Sequence, residues 1–233
     1  MLDSIHKFGD AGFIEELDAI IAQHAMLEHP FYKAWNEGAL TREMLADYAK
    51  QYYAHVSNFP VYVSATHSRC DDIKVRQLLL ENLNDEEKGE ENHPELWMRF
   101  AEGLGLTRAE VKAAELLPET KASVATIKSL TQDPDCLSGI AALYAYESQI
   151  PEVSRTKREG LKEFYGIDDA RTVSFFTVHE KADIVHQRQE RDILREKAND
   201  SASRQKVLGA ADESAQALWT FLDGVHRAFV PAD

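Results

Sequence analysis

The chain has 233 residues, 44% of them hydrophobic, enough to bury a sizeable core. Its 40 acidic residues outnumber 26 basic ones, giving a net charge of −14, and no Lys/Arg block offers a grip on a nucleic-acid backbone or an anionic membrane. Cys70 and Cys136 form no CxxC pair, which leaves little basis for a disulfide scaffold or a thiolate zinc site, and no apolar run reaches the roughly 20 residues that span a bilayer.

Neither end reads as a signal peptide, so the cytoplasm is the expected compartment. Apolar residues recur at three-to-four spacing almost throughout, with no sustained alternation, which predicts an all-α fold of seven to nine helices. No Gly/Ser-rich linker or internal repeat divides the sequence, so residues 1–233 are expected to form one helical domain.

In chain order, Phe13, Leu17, Ile20 and Ile21 mark a first helix, interrupted at Glu28-His29-Pro30 before a short segment from Phe31 to Glu37. Thr41 is an N-cap for a long, tyrosine-rich helix through Tyr48, Tyr52 and Val56, bent at Pro60 and continuing to about His67. Asp71-Asp72 opens the next, which runs into Asp85-Glu86-Glu87 and frays at Gly89 and Pro94. A helix through Trp97 and Phe100 closes at Gly105, and Thr107 with Glu110 has capping-box spacing for a short one.

Pro118 opens a further helix, and Asp133-Pro134-Asp135 separates it from the span Leu137 to Gly166, where Pro151 predicts a kink or break just after Glu147. Asp168-Asp169 introduces a helix reaching about Asn199, and Ser201 or Ser203 starts the last.

Three clusters carry chemistry. His179, Asp183 and His186 are spaced by four and three residues, which places them on one helix face about 60° wide. Val178, Ala182, Val185 and the preceding Phe175-Phe176 make that side of the helix partly apolar, so His179 and Asp183 are expected to flank a buried stripe; the competing reading is a solvated face shared with Glu180, Lys181, Gln187, Arg188 and Glu190. Glu147 ends an apolar run, where a buried charge needs a partner: a cation, or a salt bridge to Arg155 or Lys157. Glu86 and His93 are seven apart, in register on one helix face, although Gly89 and Pro94 weaken that geometry, and the alternative is an acidic surface.

Three carboxylates and three imidazoles suit a pair of Fe or Mn ions better than zinc or calcium, because carboxylates bridge two metals and imidazoles complete each sphere. The Glu-x-x-His pair of ferritin-like proteins does not occur twice.

Glu86 with His93, the string Tyr144-Ala145-Tyr146-Glu147-Ser148-Gln149-Ile150-Pro151 and His179-x-x-x-Asp183-x-x-His186 together resemble the haem-oxygenase-like di-metal oxidases, in particular the CADD-like para-aminobenzoate synthases. The likeness extends over most of the chain, including Tyr48-x-x-x-Tyr52-Tyr53, which is similar to the wider TenA and PqqC superfamily. It implies Glu86, His93, Glu147, His179, Asp183 and His186 as ligands of two metal ions, Fe and/or Mn, without haem.

The resemblance further implies O₂ activation to form para-aminobenzoate, a folate precursor, with electrons from an external donor. On this reading Tyr32 furnishes the ring, Lys157 furnishes the amino group, and the enzyme is consumed by its product. By residue type alone Tyr32 reads as a core tyrosine and Lys157 as a surface lysine. Tyr146 is the first choice as a radical relay or hydrogen-bond partner, ahead of Tyr48, Tyr52, Tyr53 and Tyr144.

Two other functions fit the same sequence. One keeps the metals but oxidises an external fatty acid or amino acid; the other is a metal-free helical protein that binds a ligand or a signalling partner. A homodimer through Trp97 or Trp219 is a further expectation.

Overall fold

The computed structural model describes the backbone of residues 3–231 and the side chains of residues 12–231; residues 1–2 and 232–233, the ends of the expected 1–233 domain, lie outside the described residues. The described residues form eleven α-helices and one 3₁₀ turn, with no strand. The helices are α1 (Asp3–Ala22), α2 (Pro30–Asn36), α3 (Arg42–Arg69), α4 (Ile73–Glu87), α5 (His93–Gly103), α6 (Arg108–Lys112), α7 (Pro118–Thr131), α8 (Cys136–Glu147), α9 (Ile150–Tyr165), α10 (Ser174–Lys197) and α11 (Ser201–Phe229).

The number exceeds the expected seven to nine because α2 and α6 are short elements and because Pro151 produces a break, not a kink: α8 stops at Glu147 and α9 restarts with Pro151 in its first turn. The capping predictions hold locally. Thr41 Oγ1 accepts from Met44 N at 3.2 Å, Thr107 Oγ1 accepts from Glu110 N at 3.2 Å, and Glu110 Oε2 accepts from Thr107 N at 2.8 Å. Pro60 sits inside α3 without ending it.

Helix α8 is the axis of the molecule. Every residue from Ser138 to Glu147 is buried, as expected for a helix apolar all round, and it packs against α11, α10, α3 and α7. The approach to α3 is close at Gly139, where a Cβ would stand 2.5 Å from Thr66 Oγ1, so only glycine fits. Gly166, at φ +63, ends α9 in the left-handed conformation and turns the chain toward α10. The C-terminal end of α8 thereby delivers Glu147 to the point where α4, α5 and α10 converge.

Trp97 has no exposed surface and its Nε1 donates to Ala49 O at 2.9 Å, so it is a core side chain and offers nothing to a dimer interface. No described helix is long and apolar enough to cross a membrane.

Candidate metal centre

Four helices supply the candidate ligands. Glu86 comes from the last turn of α4, His93 from the first residue of α5, Glu147 from the end of α8, and His179, Asp183 and His186 from α10. All six are buried, none more than 7% exposed. They form two trios, Glu86/His93/His179 and Glu147/Asp183/His186, each offering ligand atoms within 4.8 Å of one another.

Two expectations about local structure change. Glu86 and His93 do not share a helix face: α4 ends at Glu87, and Asn92 caps α5 by accepting from Glu95 N at 3.0 Å. Pro94 therefore opens the helix that carries His93, a first-turn position where its missing N–H costs nothing. The two side chains meet across the connection instead, His93 Nδ1 lying 2.7 Å from Glu86 Oε1.

Helix α10 buries only part of the expected apolar stripe. Val178 and Val185 are exposed, at 37% and 53%, whereas Phe175, Phe176, His179, Asp183, His186, Glu190, Ile193 and Leu194 are buried. The polar face points inward. Glu190, expected among the residues of a solvated face, is part of it at 2% exposure.

The imidazoles are oriented by their other ring nitrogens. His179 Nδ1 donates to Phe175 O at 2.7 Å, a backbone acceptor that fixes the tautomer and leaves Nε2 as a free lone pair. His186 Nε2 lies 3.1 Å from Asp85 Oδ2, while its Nδ1 stands 3.3 Å from Glu147 Oε1 without a hydrogen bond. Asn82 Nδ2 donates to both oxygens of Glu147, at 3.1 and 3.2 Å. Neither Arg155 nor Lys157 pairs with Glu147; Arg155 is taken by Glu152 and Glu159.

Burial dominates the proton equilibria. It pushes the Glu86 carboxyl well above the usual range, helped by the charge of Glu147, and does the same to Asp183 beside Glu147 and Glu86. Burial lowers His93 to about 4 and holds His179 well below its ordinary value, so both imidazoles are neutral and ligand-ready at pH 7. Burial would lower His186 too, but Glu147 and Asp85 outweigh it and raise the net value.

The donor set fits a metal pair on the structure's own terms. Three carboxylates, each 2% exposed, crowd together where water cannot solvate them, and His186 Nδ1 is a buried polar atom without a hydrogen bond. Bound cations would answer both deficits, and oxygen with imidazole nitrogen is the ligand chemistry of Fe and Mn.

Beside the trios lies a cavity lined by Tyr52, Val56, Phe59, Tyr146, Ile150 and Phe175 as well as Glu86, His93, Glu147, His179 and Asp183. It leaves about 20 Å³ for the centre of a water-sized sphere, room on the scale of one water or a diatomic gas. Tyr146 donates to Tyr52 OH at 2.7 Å, Tyr52 stacks on Tyr48 with centroids 5.4 Å apart, and the hydroxyls of Tyr48 and Tyr32 are 2.9 Å apart.

At the end of this series sits Lys157, 3% exposed instead of on the surface, donating to Tyr32 OH at 2.7 Å and Tyr48 OH at 2.6 Å. Burial lowers its pKa well below the usual lysine value, which favours the neutral amine against the rings. Tyr144 and Tyr53 lie apart from this series: Tyr144 OH donates to Asp18 at 2.6 Å, and Tyr53 lines a surface cleft with Arg108. Residue types alone gave no sign of Asn82, Asp85 and Glu190 in the site; for Glu190 the available clue was its spacing of four from His186 and seven from Asp183.

Fold and site together define an all-α protein of haem-oxygenase-like architecture built around a sealed carboxylate and imidazole cluster. Comparison with known proteins agrees: the model of the family described as "Iron-containing redox enzyme" matches residues 46–219. A 4-aminobenzoate synthase of Chlamydia trachomatis serovar D is 46% identical over 211 residues, covering 91% of this chain and 90% of that protein. One from Nitrosomonas europaea is 42% identical over 226 residues, covering 93% and 92%.

A TenA homologue of Pseudomonas syringae pv. tomato superposes with a TM-score of 0.80 at 16% identity, covering 93% of this chain and 92% of that one, which establishes the shared fold. The chain belongs to the iron-containing redox enzyme family, in the branch that holds these two synthases.

Proposed function

We propose that the chain is an O₂-dependent, dinuclear metal oxidase that forms 4-aminobenzoate, a folate precursor, with Tyr32 as the source of the ring and Lys157 as the source of the amino nitrogen. The observation that carries this reading is the buried contact of Lys157 Nζ with the Tyr32 hydroxyl at 2.7 Å. An amine and a phenol are held together where no external molecule competes for either.

In this account Glu86, His93 and His179 hold one ion, and Glu147, Asp183 and His186 hold the other. The ions, Fe/Fe, Mn/Mn or one of each, supply the reduction of O₂ and a strong oxidant, with electrons from an external donor. Everything else is the work of side chains. Phe175 O and Asp85 aim the imidazoles, and Asn82 holds Glu147 in place. The apolar walls Val56, Phe59, Ile150 and Phe175 keep bulk water away.

Tyr52 and Tyr146 are the first oxidisable groups in the cavity wall, and the stacking of Tyr52 on Tyr48 offers a path for an electron toward Tyr48 and Tyr32. Tyr32 is then the electron-rich ring next to an amine whose neutral form burial favours, the form of lysine that can act as a nucleophile.

The narrowness of the cavity, about 20 Å³ for the centre of a water-sized sphere, favours this internal route over oxidation of a supplied fatty acid or amino acid. The crowded carboxyls weigh against a metal-free binding protein, in which their desolvation would have no bound cation to offset it.

The test is anaerobic loading with Fe(II), Mn(II) or both and a chemical reductant, followed by O₂ and no organic substrate. The expected result is release of 4-aminobenzoate with an intact-mass loss that peptide mapping assigns to Tyr32 and Lys157. An unchanged chain mass with no product would overturn the reading.

A further inference from the structure

Glu190 lies on the buried face of α10, four residues after His186 and seven after Asp183, and is 2% exposed. Both of its carboxylate oxygens are buried and neither has a hydrogen-bond partner. Its immediate neighbour is the Glu147 carboxylate, and Asp183 is close enough to act on it electrostatically. The adjacent guanidinium, Arg191, is turned outward to Asp18 at 3.0 Å, and no ion pair reaches Glu190 among the described residues.

A carboxylate in that position is expensive to bury, and placing it against a second carboxylate makes it more so. Such a pair is relieved by a proton shared between the two carboxyls or by a positive charge beside them, and the second leaves both groups ionised as metal ligands. Glu190 adjoins Glu147, a member of the trio Glu147/Asp183/His186, which offers a place for that charge.

We propose that Glu190 is a fourth carboxylate of the dinuclear centre, serving the ion held by Glu147, Asp183 and His186. The inference rests on the metal centre of the proposed function and extends it by one residue. Charge supports it: Glu86, Glu147, Asp183 and Glu190 together leave a sealed pair of divalent ions neutral, whereas the first three leave one positive charge without compensation. Helical di-metal carboxylate sites of other folds also gather four carboxylates, from different sequence patterns.

The test compares wild type with E190Q, both stripped of metal and titrated anaerobically with Fe(II) and with Mn(II), using equilibrium binding, Mn(II) electron paramagnetic resonance and thermal melting. Wild type is expected to take two ions. E190Q should keep one with wild-type affinity and hold the second about 10- to 100-fold more weakly, the usual penalty for losing a supporting group at a metal site. The resonance of the coupled Mn pair should appear only at higher metal.

On metal loading E190Q should gain less melting temperature than wild type. E190M, apolar and similar in size, gives the same comparison if E190Q does not fold. Two ions bound by these variants with wild-type affinity would overturn the assignment of Glu190 alone. Fewer than two ions in wild type would remove the metal centre itself and Glu190's role with it.

Discussion

Lys157 donates from Nζ to the Tyr32 hydroxyl at 2.7 Å, from a position 4.1 Å from the centre of the same ring. A lysine buried without a carboxylate partner loses its hydration, which lowers its pKa, an arrangement that stability alone does not favour. K157M keeps the stem and removes the amine. It is expected to fold and to bind two metals as wild type does, with 4-aminobenzoate falling below detection; liquid chromatography with mass detection after oxygenation reads the product.

Y32F removes one hydroxyl from the Tyr32, Tyr48 and Lys157 group, and Lys157 retains Tyr48 as a partner at 2.6 Å. The expected destabilisation is about 1–2 kcal/mol by urea titration, the order of one buried hydrogen bond. Product should be lost and the mass change at residue 32 should disappear. Product at wild-type yield would assign the ring to another tyrosine, with Tyr48 the nearest.

Y146F breaks the 2.7 Å contact between Tyr146 and Tyr52 while leaving the phenyl ring against Phe59. If that contact conducts oxidation out of the cavity, O₂ consumption continues while product per O₂ drops about tenfold or more, an expectation on the scale of general acid–base and proton-transfer defects. Parallel oxygen-electrode and product measurements separate this outcome from a metal-binding defect, which would lower both together.

His55 has no exposed surface, neither of its ring nitrogens is hydrogen-bonded, and burial lowers its pKa from 6.5 to about 3. The folded state excludes a proton that the unfolded chain binds below pH 6.5. The unfolded chain therefore carries more protons between pH 6.5 and 3, and stability falls as pH is lowered through that window by up to about 1.4 kcal/mol per unit from this residue. H55F should flatten that part of the acid limb of a urea-denaturation series on metal-free protein, and an unchanged slope would contradict the assignment.

The sequence revealed the fold class and most helix boundaries through caps and prolines. Thr41, Thr107, Pro118 and Pro151 act locally, so their effect needs no knowledge of the tertiary structure. The six donors were legible as residue types in a recognisable pattern, and the structure brings all six together.

The facing of α10 was less legible. Val178, Val185 and Phe175-Phe176 suggested an apolar stripe, but the packing leaves both valines exposed, turns Phe175, Phe176, Ile193 and Leu194 inward at the two ends and encloses the polar residues between them. Charge buried against charge defeats a hydrophobicity rule, and Glu190 was misread for that reason. Lys157 was hidden in the same way: a lone lysine in a helix reads as surface until the tyrosines of α2 and α3 enclose it. The link between Glu86 and His93 depended on a chain reversal at residues 88–92 that residue spacing does not encode.

The most direct measurement is the anaerobic titration of metal-free wild-type protein with Fe(II), read by Mössbauer spectroscopy and elemental analysis. The account predicts two irons per chain in nitrogen and oxygen environments, reduced to one or none when Asp183 and His186 are replaced by alanine. A wild-type chain that saturates at zero or one iron, and likewise with Mn(II), would contradict it.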